Sequence, residues 1–275
     1  MRYPATDQIR PVEKDGLLFY EFPLFDPFRD RFLGVFSSRI GGVSQGCYSQ
    51  LNLGISRGDD PEALLENLRR FAQATGFSAE RTVLSQQTHT TNLREAKATD
   101  AGKGYFLERG YTDVDGLYTQ EKQLPLVTMY ADCTPLLFFA ADKNIAATSH
   151  SGWRGTVSGM AKVTVEKLLS LGAKAEHIYA AIGPSAGPCC YQVDAETAQA
   201  FRQVDASTVR TDPKENGKYL ADMWRTNRIL LERAGLPEKN IAVGGLCTIC
   251  HADVFFSHRI QGEARGALAA VVMLK

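Results

Sequence analysis

The stretch ADCTPLLFFAADKNIAATSHSGWRG, residues 131–155, decides the fold of this chain. It holds two apolar runs, 136–140 and 145–148, each of the length of a strand. Cys133 stands just ahead of the first run, and His150 comes just after the second. The pattern therefore predicts two strands with a thiol and an imidazole close to their ends.

Outward from this stretch, short apolar runs recur and predict further strands. These strands are predicted at 17–22, 32–36, 82–84, 114–118, 124–129, 178–182, 241–243, 254–256 and 268–273. Helical spacing predicts helices at 60–74, 155–171, 195–201 and 219–234, the first with Asp60 as N-cap and Pro61 in the first turn. The order mixes strand–strand with strand–helix neighbours. It predicts an α/β fold with mixed sheets, as a single domain over 1–275.

Composition narrows the class of partner. Lys plus Arg equals Asp plus Glu, at 31 each, so the balanced charge argues against nucleic-acid or anionic-membrane binding. A small-molecule partner is favoured. No apolar run is long enough to span a membrane and the start has no signal-peptide pattern, so we expect a cytoplasmic protein. Six cysteines are too few for a disulfide scaffold.

Three residues in separate motifs stand out as a ligand set: His89, Cys133 and His150. Two imidazoles and a thiolate suit a catalytic zinc site with one position left for water. Two other interpretations stay open, in which Cys133 is a nucleophile with a histidine base, or all three are ordinary core residues. A multicopper oxidase is excluded, because it needs about ten histidines and the chain has five.

Other polar residues are candidates for substrate contacts. Ser38 and Arg39, ahead of a Gly-Gly pair, suit a phosphate cradle, although a hairpin with an exposed arginine is the plainer interpretation. Arg154, after Trp153, could bind phosphate or ribose, or only stack on the indole. Asn52 could bind ligand or serve a turn.

Two carboxylates and two cysteine pairs complete the candidates. Asp115 and Asp132 could orient a metal-bound histidine or transfer protons, or could cap and form ion pairs. The Cys247–Cys250 pair has CxxC spacing but lacks the second pair that a structural zinc site requires. Cys189-Cys190 fits a tight turn. We therefore expect reduced thiols at both pairs.

Taken in order, these motifs resemble the YfiH family from Ser38 to the C-terminus. The matching segments are SRIGGVS (38–44), LNLG (51–54), QTH (87–89), DVDGL (113–117), ADC (131–133), HSGWRGT (150–156), IGP (182–184), GPCCY (187–191), CT (247–248) and FFSHR (255–259). The segment 260–266 is a looser version of a more basic stretch in the family. The family was first called laccase-domain polyphenol oxidases, and its members are now described as purine nucleoside phosphorylases or peptidoglycan editing factors.

The resemblance implies a layered α/β/β/α fold, sheets sandwiched by helices, and a metal held by His89, Cys133 and His150. Zinc is the implied cofactor, with copper as an adventitious or alternative ion. The implied reactions are phosphorolysis of adenosine, inosine and methylthioadenosine, and deamination of adenosine. The implied partners are therefore a nucleoside and phosphate, and we expect a monomer or homodimer. The alternative is an amidase or cysteine hydrolase that edits peptidoglycan precursors with the same pocket.

Overall fold

The fold is described by a computed structural model that covers residues 3–55 and 57–275. The strands are β1 (Arg10–Lys14), β2 (Leu17–Glu21), β3 (Phe32–Ser37), β4 (Val83–Leu84), β5 (Leu93–Glu95), β6 (Gly116–Thr119), β7 (Leu126–Tyr130), β8 (Thr134–Ala140), β9 (Ile145–Ser151), β10 (Ile178–Ile182), β11 (Gln192–Val193), β12 (Val209–Thr211), β13 (Tyr219–Ala221), β14 (Ile241–Val243) and β15 (Leu268–Leu274). The helices are α1 (Pro61–Thr75), α2 (Trp153–Val157), α3 (Met160–Ser170), α4 (Ala195–Val204), α5 (Met223–Arg233) and α6 (His258–Gln261).

The two strands of the opening stretch, β8 and β9, form the centre of one sheet. They pair antiparallel from Thr134 opposite Ser151 to Ala140 opposite Ile145, and every residue of both strands is buried. The sheet has the order β14-β10-β8-β9-β6-β5, with parallel pairs at its two edges. Burial on both faces explains why these strands are continuous apolar runs instead of alternating ones.

A second six-stranded sheet, in the order β1-β2-β3-β15-β7-β4, packs against the first. Aromatic residues such as Phe36 and Phe139 fill the core between the sheets. Helix α1 covers the outer face of the second sheet, where Phe71 packs. Helices α3 and α5 cover the outer face of the first, through Val165 and Leu231. The result is the layered α/β/β/α arrangement with mixed sheets, as predicted.

A small antiparallel sheet, β11-β13-β12, lies beside α4 and has a core of its own around Phe201. The sequence patterns missed this sheet, because its strands are two or three residues long and cannot show a period. The predicted helix 219–234 was wrong at its start for that reason. Residues Tyr219–Ala221 are β13, and the helix begins at Met223 after Asp222, whose side chain caps it.

Two other predicted elements differ from the structure. The predicted helix 155–171 is broken into α2 and α3 at Gly159, whose φ of +85° is left-handed and interrupts helical hydrogen bonding. The predicted strand 254–256 is not a strand: Val254 and Phe255 donate backbone hydrogen bonds to the His251 carbonyl and so form a turn. By contrast, the Asp60 cap and the Pro61 start of α1 are confirmed. Within the described residues, no helix has the length and apolar character needed to cross a membrane.

Candidate metal centre and its pocket

The antiparallel register of β8 and β9 brings Cys133 beside His150. Pro135 pairs with His150 across the two strands, and Cys133 lies one residue before β8 begins. His89 arrives from the loop after β4, with its Nε2 atom 3.8 Å from the Cys133 Sγ atom. The side-chain donor atoms of all three residues lie within 4.8 Å of one another. The three residues could therefore hold one metal ion.

Asp115 orients both histidines. Its Oδ1 atom lies 2.8 Å from Nδ1 of His150 and accepts a hydrogen bond from the His89 backbone nitrogen at 3.0 Å. Its Oδ2 atom accepts from the backbone nitrogens of Thr88 and Thr90. His89 has a left-handed φ of +67°, which is uncommon for a residue with a side chain. The buried carboxylate thus holds this turn in place and leaves Nε2 of His150 free for a ligand.

The electrostatics of the three donors favour a thiolate. Burial alone would raise the pKa of Cys133, but the charge and hydrogen bonds of His150 and His89 lower it to about 6. Burial opposes charge on His150 as well, yet the Cys133 thiolate and Asp115 raise the His150 pKa to about 9. The Asp115 pKa falls to about 2 against the effect of burial, mainly through the hydrogen bond to His150. A metal ion bound by these donors would take the place of their protons, because a metal binds the thiolate and the neutral imidazole.

A cavity of about 250 Å³ opens at the cluster. Its lining residues are Gly54, Ile55, Arg57, Leu84, Ser85, Gln86, Gln87, His89, Arg109, Met129, Tyr130, Ala131, Cys133, His150 and Arg265. Three of these are arginines, and none of the described lining residues is an aspartate or glutamate. The cavity therefore has the charge of an anion-binding site.

Arg265 is the most unusual of the three arginines. Its side chain is nearly buried, at 7% exposure, and its Nε and Nη1 atoms have no hydrogen-bond partner within the described part of the chain. Burial and the nearby charge of Arg57 lower the Arg265 pKa. A buried, unpaired guanidinium costs free energy, so an anionic ligand in this cavity would satisfy it.

The sequence motifs do not point to the three arginines of the cavity. Arg57 and Arg109 lie in loops far from the metal motifs, so spacing carried no signal for them. Arg265 falls in the segment 260–266, where the family's basic stretch is only loosely matched. A search for the arginine retained in that segment would have found it.

Of the six other polar candidates named from the sequence, Asp115 hydrogen-bonds a side chain of the metal cluster; the other five are described next. Both carboxylate oxygens of Asp132 are engaged elsewhere, accepting hydrogen bonds from Thr248, Ser257 and the Arg259 backbone. Asp132 thus joins the loops next to Cys133, and these hydrogen bonds do not include the metal cluster. Asn52 is fully buried, and its Oδ1 atom accepts from the backbone of Gly54 and Ala267, as in the turn interpretation.

The proposed phosphate cradle is not part of the cavity lining. Ser38 is buried and donates to the Leu18 carbonyl. Arg39 donates to the carbonyls of Ser49 and Ala252 and lies over the Phe256 ring. These contacts occupy the guanidinium, so that Arg39 joins loops outside the cavity lining. Arg154 is exposed and stacks on Trp153, the plainer of its two interpretations.

A family model described as multi-copper polyphenol oxidoreductase laccase matches residues 34–275. The chain belongs to this family. The purine nucleoside phosphorylase YlmD of Geobacillus stearothermophilus is 34% identical over 254 residues, which cover 90% of this chain and 91% of the relative. The purine nucleoside phosphorylase YfiH of Escherichia coli K12 is 32% identical over 238 residues, covering 86% and 92%.

Solved structures agree with the family. The crystal structure of YlmD from Geobacillus stearothermophilus has a TM-score of 0.89 at 32% identity, covering 98% of this chain and 100% of that chain. The crystal structure of the YfiH protein of Bacillus licheniformis has a TM-score of 0.90 at 28% identity, covering 98% and 100%. The predicted YfiH-family membership is confirmed, and the names of the relatives support an enzyme.

The structure corrects one expectation about the cysteines outside this pocket. Cys189-Cys190 does form a tight turn, closed by backbone hydrogen bonds to the Gly187 carbonyl. That turn, however, places both residues against Cys247 and Cys250, so that the four sulfur atoms lie within 4.8 Å of one another. Cys189 and Cys190 are thus the second cysteine pair beside the CxxC motif. They lie about sixty residues from it along the chain, so the spacing of the motif did not reveal them.

Proposed function

We propose that this protein is a zinc-dependent purine nucleoside phosphorylase that acts on adenosine, inosine and methylthioadenosine. The observation that carries the proposal is the cavity that joins a His₂Cys cluster to three arginines. Arginine recognises phosphate through paired N–H donors. The named activity of the relatives supports the same substrate pair, a nucleoside and phosphate.

Zinc fits the donor set of the first cluster. A tetrahedral ion with Zn–N near 2.0 Å and Zn–S near 2.3 Å needs its ligand atoms about 3.5 Å apart, and the Cys133 Sγ to His89 Nε2 distance is 3.8 Å. His89, Cys133 and His150 would hold the ion, with Asp115 fixing the His150 ring. When bound, zinc would supply Lewis-acid polarisation and a net positive charge to the cavity. Copper, which binds such donors readily, would compete for the site.

In phosphorolysis, a phosphate oxygen forms a bond to C1′ of the ribose while the C1′–N9 bond breaks. The electron pair of that bond leaves with the purine, which takes up a proton, and ribose 1-phosphate is the second product. We assign the holding of phosphate to Arg265, Arg57 and Arg109, which line the cavity. Fixing the nucleophile against the sugar supplies a large part of the rate enhancement in such two-substrate reactions.

We also propose adenosine deamination in the same pocket, as the family resemblance implies. This reaction needs a proton shuttle between water and the leaving ammonia. The Asp115 carboxylate is hydrogen-bonded to His150, and the Asp132 carboxylate accepts hydrogen bonds from Thr248 and Ser257. Neither carboxylate is therefore available as the proton shuttle. Deamination therefore has less support in the site than phosphorolysis.

A cysteine or zinc amidase acting on peptidoglycan precursors is the second candidate. The observation that favours it is the lowered pKa of Cys133 beside two imidazoles, the environment of a cysteine nucleophile. The cavity volume of about 250 Å³ argues against it. A muropeptide is larger than a nucleoside and so fits a cavity of this size less well.

The test is to assay the zinc-loaded protein with adenosine and inorganic phosphate, and to separate the products by chromatography. We expect adenine and ribose 1-phosphate, and loss of both in His89→Ala and Cys133→Ala. The matched controls are His177→Ala and Cys47→Ala, exposed residues of the same types outside the cavity. Both controls should keep full activity.

Two results would overturn the proposal. Stoichiometric zinc without turnover of any nucleoside would favour the amidase. Nucleoside turnover that survives complete zinc removal, yet still requires Cys133, would favour a cysteine nucleophile over a zinc enzyme.

A further inference from the structure

Four of the six cysteines form a second cluster, distinct in its residues from the His₂Cys centre. Cys189 and Cys190 lie in the turn before β11, and Cys247 and Cys250 lie in the turn after β14. In the described part of the chain, this cluster and the His₂Cys centre are the two groups of three or more potential ligands whose donor atoms lie this close.

The sulfur positions match a single tetrahedral ion. With Zn–S near 2.3 Å, a tetrahedron has sulfur–sulfur edges of about 3.8 Å. The Sγ atom of Cys250 lies 3.5 Å from that of Cys189 and 3.4 Å from that of Cys190, and all six sulfur pairs are within 4.8 Å. These distances are too long for a disulfide, whose sulfurs are about 2.05 Å apart.

The surroundings also suit a tetrathiolate. The Gly187 backbone nitrogen donates a hydrogen bond to the Cys247 sulfur at 3.2 Å, as expected around a metal-bound thiolate. Arg210 donates to the Pro188 carbonyl, next to Cys189, and adds positive charge near the cluster. Four thiolates with a divalent ion carry a net charge of minus two, and the Arg210 guanidinium offsets one unit of it.

The sequence permits this close approach through Gly187. A Cβ atom there would lie 2.6 Å from the Trp224 ring and 3.0 Å from the Cys247 Cβ atom. Both distances are too short for a side chain, so a glycine is needed where the first turn approaches the second.

We propose that Cys189, Cys190, Cys247 and Cys250 form a structural zinc site. Binding one Zn²⁺ releases the four thiol protons and forms four Zn–S bonds, with no change in oxidation state. The four ligands close the coordination sphere, which is typical of structural and not catalytic zinc.

The ion would join two segments that both contact the residue next to Cys133. Ala186, just before the first turn, donates its backbone N–H to the Asp132 carbonyl, and Thr248 donates its hydroxyl to the Asp132 side chain. Linking the two segments would thus stabilise the loop that positions the Cys133 ligand. The proposal stands on the cluster alone and does not depend on the nucleoside phosphorylase activity.

The test is metal content per chain, measured on protein produced with zinc and dialysed against metal-free buffer. We expect two zinc ions in the wild type. One should remain in Cys250→Ser and in Cys189→Ser, both exposed positions where serine is tolerated, and the remaining ion should be lost when His89→Ala is added. Cys47→Ser, at an exposed cysteine outside both clusters, is the matched control and should keep two.

Two further measurements make the assignment specific. A thiol reagent applied to the native protein should modify Cys47 at once and the four clustered cysteines only after chelation. Cobalt in place of zinc in His89→Ala should give the intense visible absorption of a tetrahedral thiolate centre, absent when Cys250→Ser is combined with it. Cys250→Ser and Cys189→Ser should also show a lower Tm than the zinc-loaded wild type, and Cys47→Ser should not.

Three results would overturn the proposal. One is a single zinc per chain that Cys250→Ser does not change, with four freely reactive thiols. Another is an intact mass showing the loss of two hydrogens per disulfide, with no metal at the cluster. The third is iron in place of zinc in protein that had both available.

Discussion

The Oδ1 atom of Asp115 lies 2.8 Å from Nδ1 of His150, with both side chains buried. The same carboxylate accepts backbone hydrogen bonds from residues 88–90, the turn that carries His89. One side chain therefore positions two of the three donors of the His₂Cys centre. A carboxylate that orients a metal-bound histidine also raises the basicity of the ring.

Asp115→Asn should weaken metal binding about 10- to 100-fold, since outer partners of this kind have effects of that size. The amide cannot accept the His150 N–H and the three backbone N–H groups as a carboxylate does. Zinc affinity is measured by competition with a chromophoric chelator. Asp113→Asn is the matched control, because Asp113 contacts Thr88 and Asn92 but no histidine ring. Equal affinities in the two variants would contradict the assigned role.

Arg265→Met should raise the KM for phosphate about 10- to 100-fold, the loss expected for about 1.5–3 kcal/mol of charged hydrogen bonding. The free energy of unfolding should stay equal or rise, because Nε and Nη1 of the buried guanidinium have no hydrogen-bond partner among the described residues. The comparison variant is Arg154→Met, at the exposed arginine stacked on Trp153. A larger increase in the KM for phosphate at Arg154 than at Arg265 would contradict this assignment. It would favour Arg154, a candidate from the sequence, as the residue that binds phosphate. Steady-state kinetics at saturating nucleoside measure both.

Gly152→Ala should remove the metal without unfolding the protein. The added Cβ would lie 2.7 Å from the His89 ring and 3.1 Å from the Cys133 sulfur, so the exposed His89 side chain has to move. The control, Gly159→Ala, is strained by a φ of +85° but has no ligand nearby. It should lose about 1 kcal/mol of stability and keep its zinc. Metal analysis and urea unfolding of both variants check this, and full zinc content in Gly152→Ala would contradict it.

Asp100→Asn should cost about 3 kcal/mol of stability at pH 7, the loss typical of a broken buried ion pair. Burial would raise the Asp100 pKa, but hydrogen bonds from Arg94 and Lys103 hold it well below its usual range. The ionised group thus stabilises the fold fully above its unfolded pKa of about 3.9, and the contribution is lost as the pH falls below that value.

Urea unfolding at a series of pH values from about 7 to about 3 measures the effect. The difference between wild type and Asp100→Asn should narrow only below about pH 4. Glu66→Gln, which breaks the exposed pair with Arg70, is the control and should cost no more than about 0.5 kcal/mol. A difference that is constant across this range would show that the carboxylate charge of Asp100 is not what stabilises the fold.

Local patterns were a sound guide wherever an element is long or carries its own boundary signals. The apolar runs of β8, β9 and β15 and the Asp60-Pro61 start of α1 were predicted within a few residues, because burial on both faces and capping are local properties. The three-residue strand β13 was predicted as part of a helix, since no period can be read in so short a segment.

The amino-acid sequence by itself predicted the fold class and singled out the three donors of the His₂Cys centre, because these depend on strand-length apolar runs and on residue type. Tertiary structure alone decided the rest of both sites. In the folded chain, Asp132 and Arg39 contact other loops, while Arg265 lines the cavity. The Cys189-Cys190 turn lies against Cys247 and Cys250. Contacts between segments tens or hundreds of residues apart depend on how the layers pack, and the spacing of residues along the chain does not predict that packing.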